Sequence, residues 1–364
     1  MAAVVFVAPF FLEATLRFVD AAADLPGVRL GLVSQDPVEK LPPRLRGKLA
    51  AHYVVADGMD PQQIADAVRG LAPRLGGVDA LVAALEQLQV PLAEVREALG
   101  IAGMNVETAH NFRDKSRMKT VLRAAGVPCA RHQLVGSAET ARQFVHEVGY
   151  PVVAKPPAGA GAVSTFRLDS DHALREWLAV QPLSPHAPTL LEEFMTGDEH
   201  SFDSVCVDGD VVWHSVSRYY PTPLEVVRNP WMQWVVLLPR DISVPAYDEI
   251  RRVGPAALSA LGLGTGLTHM EWFRRPDGSV AVSEVAARPP GAQITSLLSY
   301  AHDIDFYRAW AALMVFNRFD PPSRRYAVGA AYLRGQGQGR VRTIHGLAEL
   351  QRELGHLVVE ARLP

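Results

Sequence analysis

The first hundred residues alternate two hydrophobic patterns. Short, nearly continuous apolar runs fall at 4–7, 28–33, 52–55 and 80–84, and apolar positions recur at helical spacing over 12–23, 61–75 and 91–99. Continuous runs suit strands covered on both faces, and the intervening helices supply the cover. The pattern therefore predicts a parallel sheet flanked by helices. From about 106 the texture changes. VETAHNFRDKSRMKTVLRAAGVP predicts a basic helix, with Thr108 as a capping candidate, a stop at Gly126 and Pro128 just beyond. Strands are expected at 150–155 and 163–168 around a Pro/Gly loop at 156–161, then at 189–194 and 201–207. Gly197-Asp198-Glu199 turns the chain between the last two. Residues 218–240 hold aromatic, proline and arginine side chains with little period. Helices are expected over 246–261, 293–299 and 306–316. The tail predicts a strand at 326–333, a glycine-rich link at 335–339, a helix at 344–354 and a strand at 357–361, a unit that reads as small or clipped.

The stretch HMEWFRRPDGSVAVSEVAARPPG, 269–291, carries the strongest local signal. Asp277-Gly278 is a two-residue hairpin turn, because both residues tolerate positive φ. Centring the turn there places Arg275 opposite Val280, Phe273 opposite Val282 and Glu271 opposite Glu284. In that register Phe273, Val280 and Val282 share the carboxylates' face, and Met270, Trp272 and Val285 line the other. Like charges directly opposite destabilise a sheet. A covered pair of this kind calls for a cation between them, and Mg²⁺ held by one or two carboxylates plus phosphate oxygens is the natural candidate. His269 shares the Glu271 face and reads as structural, with proton transfer as the alternative.

Composition narrows the class. At 364 residues the chain can bury two or three cores, and a net charge of −3 gives no electrostatic case for nucleic acid or an anionic membrane. Cys129 and Cys206 fall in no metal-ligand spacing and read as reduced thiols, which suits a cytoplasm. The apolar start has no basic n-region, and no apolar run reaches transmembrane length. Ala8-Pro9-Phe10 stands where a dinucleotide fingerprint would follow the first strand, so a nicotinamide or flavin site is not expected there.

Three further stretches are candidate chemistry. The loop at 156–161 follows Lys155, and its glycines leave backbone N–H groups able to cradle phosphate oxygens, with Lys155 as a point charge. Lys115, Arg117 and Lys119 lie on the basic helix, where Arg117 and Lys119 read as a solvated face. In 218–240, Trp231 and Trp234 are candidate walls of a substrate pocket, and Arg218 or Arg228 a candidate bidentate partner for a carboxylate.

In this order the signals resemble the ATP-grasp superfamily, in the branch holding biotin carboxylase, the carbamoyl-phosphate synthetase large subunit and amino-acid ligases. Asp114-Lys115, PVVAKPPAGAGAVST (151–165), LLEEFMTGDEHSFD (190–203) and THMEWF with DGSVAVSEVAARPPG (268–291) carry the resemblance. It implies α/β and α+β architecture: a Rossmann-like pre-ATP-grasp domain over 1–105, a two-lobed ATP-grasp domain over 106–322 with its flap at about 120–195, and a small C-terminal α/β unit over 323–364. It implies that Lys115 and Lys155 bind nucleotide phosphates and that the loop around Gly159 and Gly161 closes over them. Glu192, Glu193, Phe194 and Met195 would hold adenine, largely by main chain, and Glu199 would reach the ribose or nearby polar groups. Glu271 and Glu284 would carry Mg²⁺ (Mn²⁺ would serve), and Arg288 would steady the transferred phosphate. The family's further asparagine ligand is replaced by Ala286. The implied enzyme is an ATP-dependent carboxylate–amine ligase working through an acyl phosphate on small-molecule substrates, joining amino acids in one version, with a homodimer compatible. The alternatives are acid–thiol ligation, carboxyphosphate-forming carboxylation and nucleotide binding without turnover.

Overall fold

The computed structural model describes residues 1–158 and 164–362. Strands β1 (Ala2–Val7), β2 (Val28–Ser34), β3 (Ala51–Val54) and β4 (Ala80–Val82) form a parallel sheet in the order β3-β2-β1-β4. Alternation along β1 serves two cores. Val4 and Phe6 pack with Phe18 and Trp310, whereas Ala3, Val5 and Val7 pack with Ile64, Val68 and Leu71. The helix Phe306–Phe316 therefore covers one face and Pro61–Leu75 the other. The mixed α/β class and the parallel N-terminal sheet match expectation.

The basic stretch is two helices, Val106–Arg113 and Lys115–Ala124, broken at Asp114. The Asp114 carboxylate accepts from the Ser116 and Arg117 N–H groups, and Asn105 caps the first helix. Thr108 is thus not the cap; its hydroxyl donates to the Gly262 carbonyl at 3.3 Å.

Next comes an antiparallel sheet of β5 (His132–Val135), β6 (Val152–Lys155), β7 (Phe166–Leu168) and β8 (Thr189–Glu193), ordered β5-β8-β6-β7. Helices Ala138–Val148 and Asp171–Val180 pack on it around Phe144, Val152, Trp177 and Leu191. The largest sheet contains β9 (Asp198–Val207), β10 (Asp210–Tyr220), β11 (Trp234–Leu238), β12 (Gly266–Arg274), β13 (Val280–Ala286) and β14 (Val328–Tyr332), in the order β13-β12-β9-β10-β11-β14. One face buries Phe202, Met270, Trp272 and Val282 against the helix Asp248–Leu261. Among the described residues no helix is long and apolar enough to cross a membrane.

Residues 218–240 lack a period because three elements share them: the end of β10, a helix Pro223–Arg228 with a Thr222/Glu225 capping box, and β11. In the tail a helix forms at Leu347–Leu354. The strand expected at 357–361 does not form; a 3₁₀ turn, Gly355–Leu357, and irregular chain stand there instead.

The hairpin register differs from the expectation in two places that cancel. Arg275 N–H donates to the Ser279 carbonyl at 2.8 Å, and Gly278 sits at φ +83. This is a three-residue loop with glycine in the left-handed position. Arg274 then faces Val280, Phe273 faces Ala281 and Trp272 faces Val282, one step off the expected pairing. A bulge between Glu271 and Trp272 leaves Ser283 as the extra residue on β13 and restores Glu271 opposite Glu284. Val280 and Val282 consequently join Met270, Trp272 and Val285 in the core, and Ala281 joins Phe273 near the carboxylates.

Gly197, between β8 and β9, is required sterically. At φ +139 a Cβ would lie 2.2 Å from the Arg274 carbonyl oxygen. The turn can pass the end of β12 only without a side chain.

Candidate active site

The two antiparallel sheets face each other across a cavity of about 440 Å³. Its lining includes Lys115, Lys155, Glu192, Glu193, Phe194, Met195, Glu199, His269, Glu271, Glu284 and Arg288. Residues as far apart in the chain as Lys115 and Arg334 thus reach one space. Gly159 and Gly161 lie outside the described residues.

Lys155 ends β6, and its Nζ lies 2.9 Å from Glu192 Oε2. Burial disfavours the Lys155 cation, but the carboxylates of Glu192 and Glu284 outweigh it and hold its pKa above the ordinary value. Lys115 opens its helix, with Nζ 2.7 Å from Glu284 Oε1, and its N–H donates to the Pro157 carbonyl at 2.9 Å. That bond ties the helix to the start of the glycine loop.

Lys119 overturns its reading as a solvated residue. Its side chain is fully buried, Nζ is 2.5 Å from the Ser283 carbonyl oxygen, and Glu192 Oε1 lies 3.5 Å away. Burial lowers its pKa. Glu192 Oε1 has no hydrogen bond of its own, so this carboxylate serves as a shared counter-ion for two buried lysines. Burial opposes its charge, yet Lys119 and Lys155 bring its pKa below the usual carboxylate value. Arg117, by contrast, is solvated, its side chain 43% exposed.

On the hinge, the Glu193 carboxylate pairs with Arg131, at 3.1 Å. The Glu193 N–H donates to the Arg131 carbonyl and the Phe194 N–H to that of Pro151. Arg167 lies over the Phe194 ring at 4.2 Å. Glu199 on β9 is buried; burial first, then the Glu271 carboxylate, pushes its pKa well up.

Glu271 and Glu284 face each other as expected, with side chains 30% and 22% exposed toward the cavity. Among the described residues no group of three or more His, Cys, Asp or Glu side chains is arranged to hold a metal. The donor set is two carboxylates, chemistry that suits a hard cation whose remaining positions go to phosphate oxygens and water. Ala286 lines the same wall and supplies no ligand. Its cross-strand partner is His269. His269 Nδ1 lies 2.6 Å from Asp203 Oδ1 and Nε2 lies 3.8 Å from Glu271 Oε1. Ser201 donates to the other Asp203 oxygen at 2.8 Å.

Arg288 is held by Glu86, Nε at 2.9 Å and Nη2 at 2.8 Å, and Arg113 reaches the same buried carboxylate at 3.3 Å. The N-terminal unit thus aims an arginine into the cavity. Neither Arg218 nor Arg228 lines it. Arg218 donates to the Tyr247 hydroxyl at 2.7 Å, and Arg228 is exposed at its helix end. Arg334, next to β14, lines the cavity instead, and so does Trp234, while Trp231 is 60% exposed.

No family model matches the chain. It is 25% identical over 272 residues to an L-arginine-specific L-amino acid ligase of Bacillus subtilis, an alignment covering 73% of this chain and 65% of that protein. An L-amino acid ligase from Bacillus licheniformis shares the fold with a TM-score of 0.76 at 19% identity, over 97% of this chain and 85% of that one. The biotin carboxylase domain of the Hydrogenobacter thermophilus 2-oxoglutarate carboxylase, solved with MgADP and bicarbonate, gives a TM-score of 0.66 at 19% identity, over 88% and 71%. The chain belongs to the ATP-grasp superfamily.

Within this ATP-grasp frame, the residues that sequence reading missed are supports: Glu86 behind Arg288, Lys119 behind Glu192 and Asp203 behind His269. Glu86 and Asp203 are single charges within otherwise apolar or alternating runs, and Lys119 is one of several cations on a basic helix, so none carries a local signal. The Asp203 contact makes a prediction. Burial disfavours the imidazolium, but Asp203 and Glu271 outweigh it and raise His269 to about 9. Its folded value lies above the ordinary histidine value of 6.5, so the stabilisation is full below pH 6.5 and lost as pH rises through about 9. Wild type should exceed His269→Gln by on the order of 3 kcal/mol at pH 6, at about 1.4 kcal/mol per pKa unit. Thermal unfolding of both proteins from pH 6 to 10 should show the two curves converging above pH 9. A gap that does not change with pH would refute the ion pair.

Proposed function

We propose that the protein is an ATP-dependent carboxylate–amine ligase that forms ADP and phosphate. The observation that carries this reading is the facing pair Glu271/Glu284 in one cavity with Lys115, Lys155 and Arg288. Phosphoryl transfer needs positioning and charge neutralisation more than covalent help, and these residues supply both. In the proposed sequence a substrate carboxylate oxygen attacks the γ-phosphorus. The bond from that phosphorus to the β,γ-bridging oxygen breaks, and ADP leaves. An amine then attacks the acyl-phosphate carbonyl, losing a proton as phosphate departs.

Lys155 and Lys115 would turn from Glu192 and Glu284 toward phosphate oxygens. Adenine would meet main-chain groups between Glu192 and Met195 other than the N–H groups of Glu193 and Phe194, with Glu199 beside the ribose. Glu271 and Glu284 would hold Mg²⁺, or Mn²⁺ through the same oxygens; the bound cation would neutralise developing charge on the phosphates. Arg288, fixed by Glu86, would steady the transferred phosphoryl group. The loop around Gly159 and Gly161 would cover the phosphates and exclude water from the acyl phosphate.

The chain spans 65% of the length of its arginine-specific relative, and the substrates remain part of the proposal. So do the Rossmann-like, pre-ATP-grasp character of 1–105, the ATP-grasp limits 106–322 with the flap at 120–195, the C-terminal unit 323–364, a homodimer and a cytoplasmic setting. The test is ADP release from ATP and Mg²⁺ with pools of amino acids. Release that requires two amino acids supports ligation. ATP binding with no ADP from any carboxylate and amine pair would overturn it, and release that requires bicarbonate would select carboxylation instead.

A further inference from the structure

Resting on the ligase reading, we infer that the activated substrate is an amino acid with an uncharged, hydrophobic side chain. Along the large sheet the cavity runs from the carboxylates on β12 and β13 past Tyr219 on β10 to Trp234 on β11. Three strand spacings separate β12 from β11, roughly 14 Å, which is room for a phosphate and an amino acid laid end to end. The far end is closed by Leu224, Val226, Val227, Trp234 and Ile294. The Trp234 ring is fixed between Tyr219 at 5.7 Å and Tyr332 at 5.1 Å, so this wall is preformed. The helix carrying Leu224 and Val226 is pinned in turn. Arg334 donates to the Val226 carbonyl at 2.5 Å, and Thr222 caps the helix start.

Charge at this end argues against a basic side chain, and desolvation against an acidic one, since Arg334 is engaged by the Val226 and Asn229 carbonyls. Of the lining acids, Glu192 and Glu193 stand on β8 and Glu199, Glu271 and Glu284 on β9, β12 and β13, away from β11, and the cation tied to the apolar end is Arg334. A lysine or arginine side chain would meet like charge and no carboxylate, and an acidic side chain would lose its hydration against valine and isoleucine. The chain therefore departs from its arginine-specific relative in the side chain it accepts. A hydrophobic side chain of fitting size gains roughly 10–200-fold per methylene-sized contact in such a pocket.

The test measures binding separately from turnover. With ADP and Mg²⁺ present, tryptophan fluorescence is titrated with leucine, methionine, phenylalanine, arginine, lysine and aspartate, using Trp234→Phe to assign the signal. ADP release is followed with the same panel. Leucine, methionine or phenylalanine should bind at least tenfold more tightly than the charged three. Leu224→Asp places an acid in the first turn of its helix, where the dipole tolerates it. It should weaken the apolar amino acids by about tenfold or more and leave the KM for ATP unchanged. Tightest binding of arginine, lysine or aspartate, or binding of none of the six, overturns the inference. Selective apolar binding without ADP release keeps the inference and removes the ligase reading.

Discussion

Replacing Glu284 with glutamine should lower ADP formation roughly a thousandfold while leaving the fold intact. Cation-assisted charge stabilisation is worth several kcal/mol, and about 4 kcal/mol corresponds to that factor at 1.36 kcal/mol per tenfold. Glutamine keeps an oxygen for Lys115, which lies 2.7 Å from the native carboxylate. Loss of one charge also relieves the repulsion between facing carboxylates. Stability should therefore stay within about 1 kcal/mol, or 2–4 °C in thermal midpoint, and activity should collapse. Steady-state ADP release beside a thermal melt separates the two quantities. Turnover above a tenth of wild type would refute the role of Glu284 as a cation ligand.

That glutamate was legible because one-residue errors were compensated. The turn is one residue longer than Asp277-Gly278 suggests, and Ser283 bulges out to restore the pairing. A two-residue turn and a three-residue loop differ by one register step, and no pattern of apolar residues reveals a bulge in advance. Lys155 and Glu192–Met195 were readable because they lie at strand ends beside turn residues. Lys119 was not, because a lysine one turn from Lys115 on a basic helix has the same local pattern whether it meets water or a buried carboxylate; only the approach of β8 and β13 decides it. The strand β10 lay hidden because His214, Ser215 and Ser217 interrupt its apolar alternation, and the last two are buried in a central position between β9 and β11. In the tail, Val358 and Val359 suggest a strand by propensity, but strand propensity acts only where a partner edge is present.

Glu192→Leu should be the most destabilising single change in the cavity, costing about 3–5 kcal/mol. The side chain is only 5% exposed and lies between Lys155 at 2.9 Å and Lys119 at 3.5 Å. Its removal leaves two buried ammonium groups facing an apolar residue, and an uncompensated buried charge costs far more than the lost attraction. The neighbouring residue gives the contrast. Glu193 pairs with Arg131 at a site where the arginine side chain is 47% exposed, so Glu193→Leu should cost no more than about 1 kcal/mol. Adding Lys119→Met to Glu192→Leu should recover a large part of the loss, since one of the stranded charges goes with it. The pH dependence follows from the lowered Glu192 pKa. Its stabilisation is full above the ordinary glutamate value of 4.5 and disappears as pH falls through the lower folded value, so wild type should lose its advantage over the double variant only in acid. Urea unfolding of the three variants and wild type between pH 3 and 8 measures all of these differences. A Glu192→Leu protein as stable as Glu193→Leu would show that the buried lysines do not need this carboxylate, and with it would fall the view that Glu192 holds Lys155 ready for a phosphate.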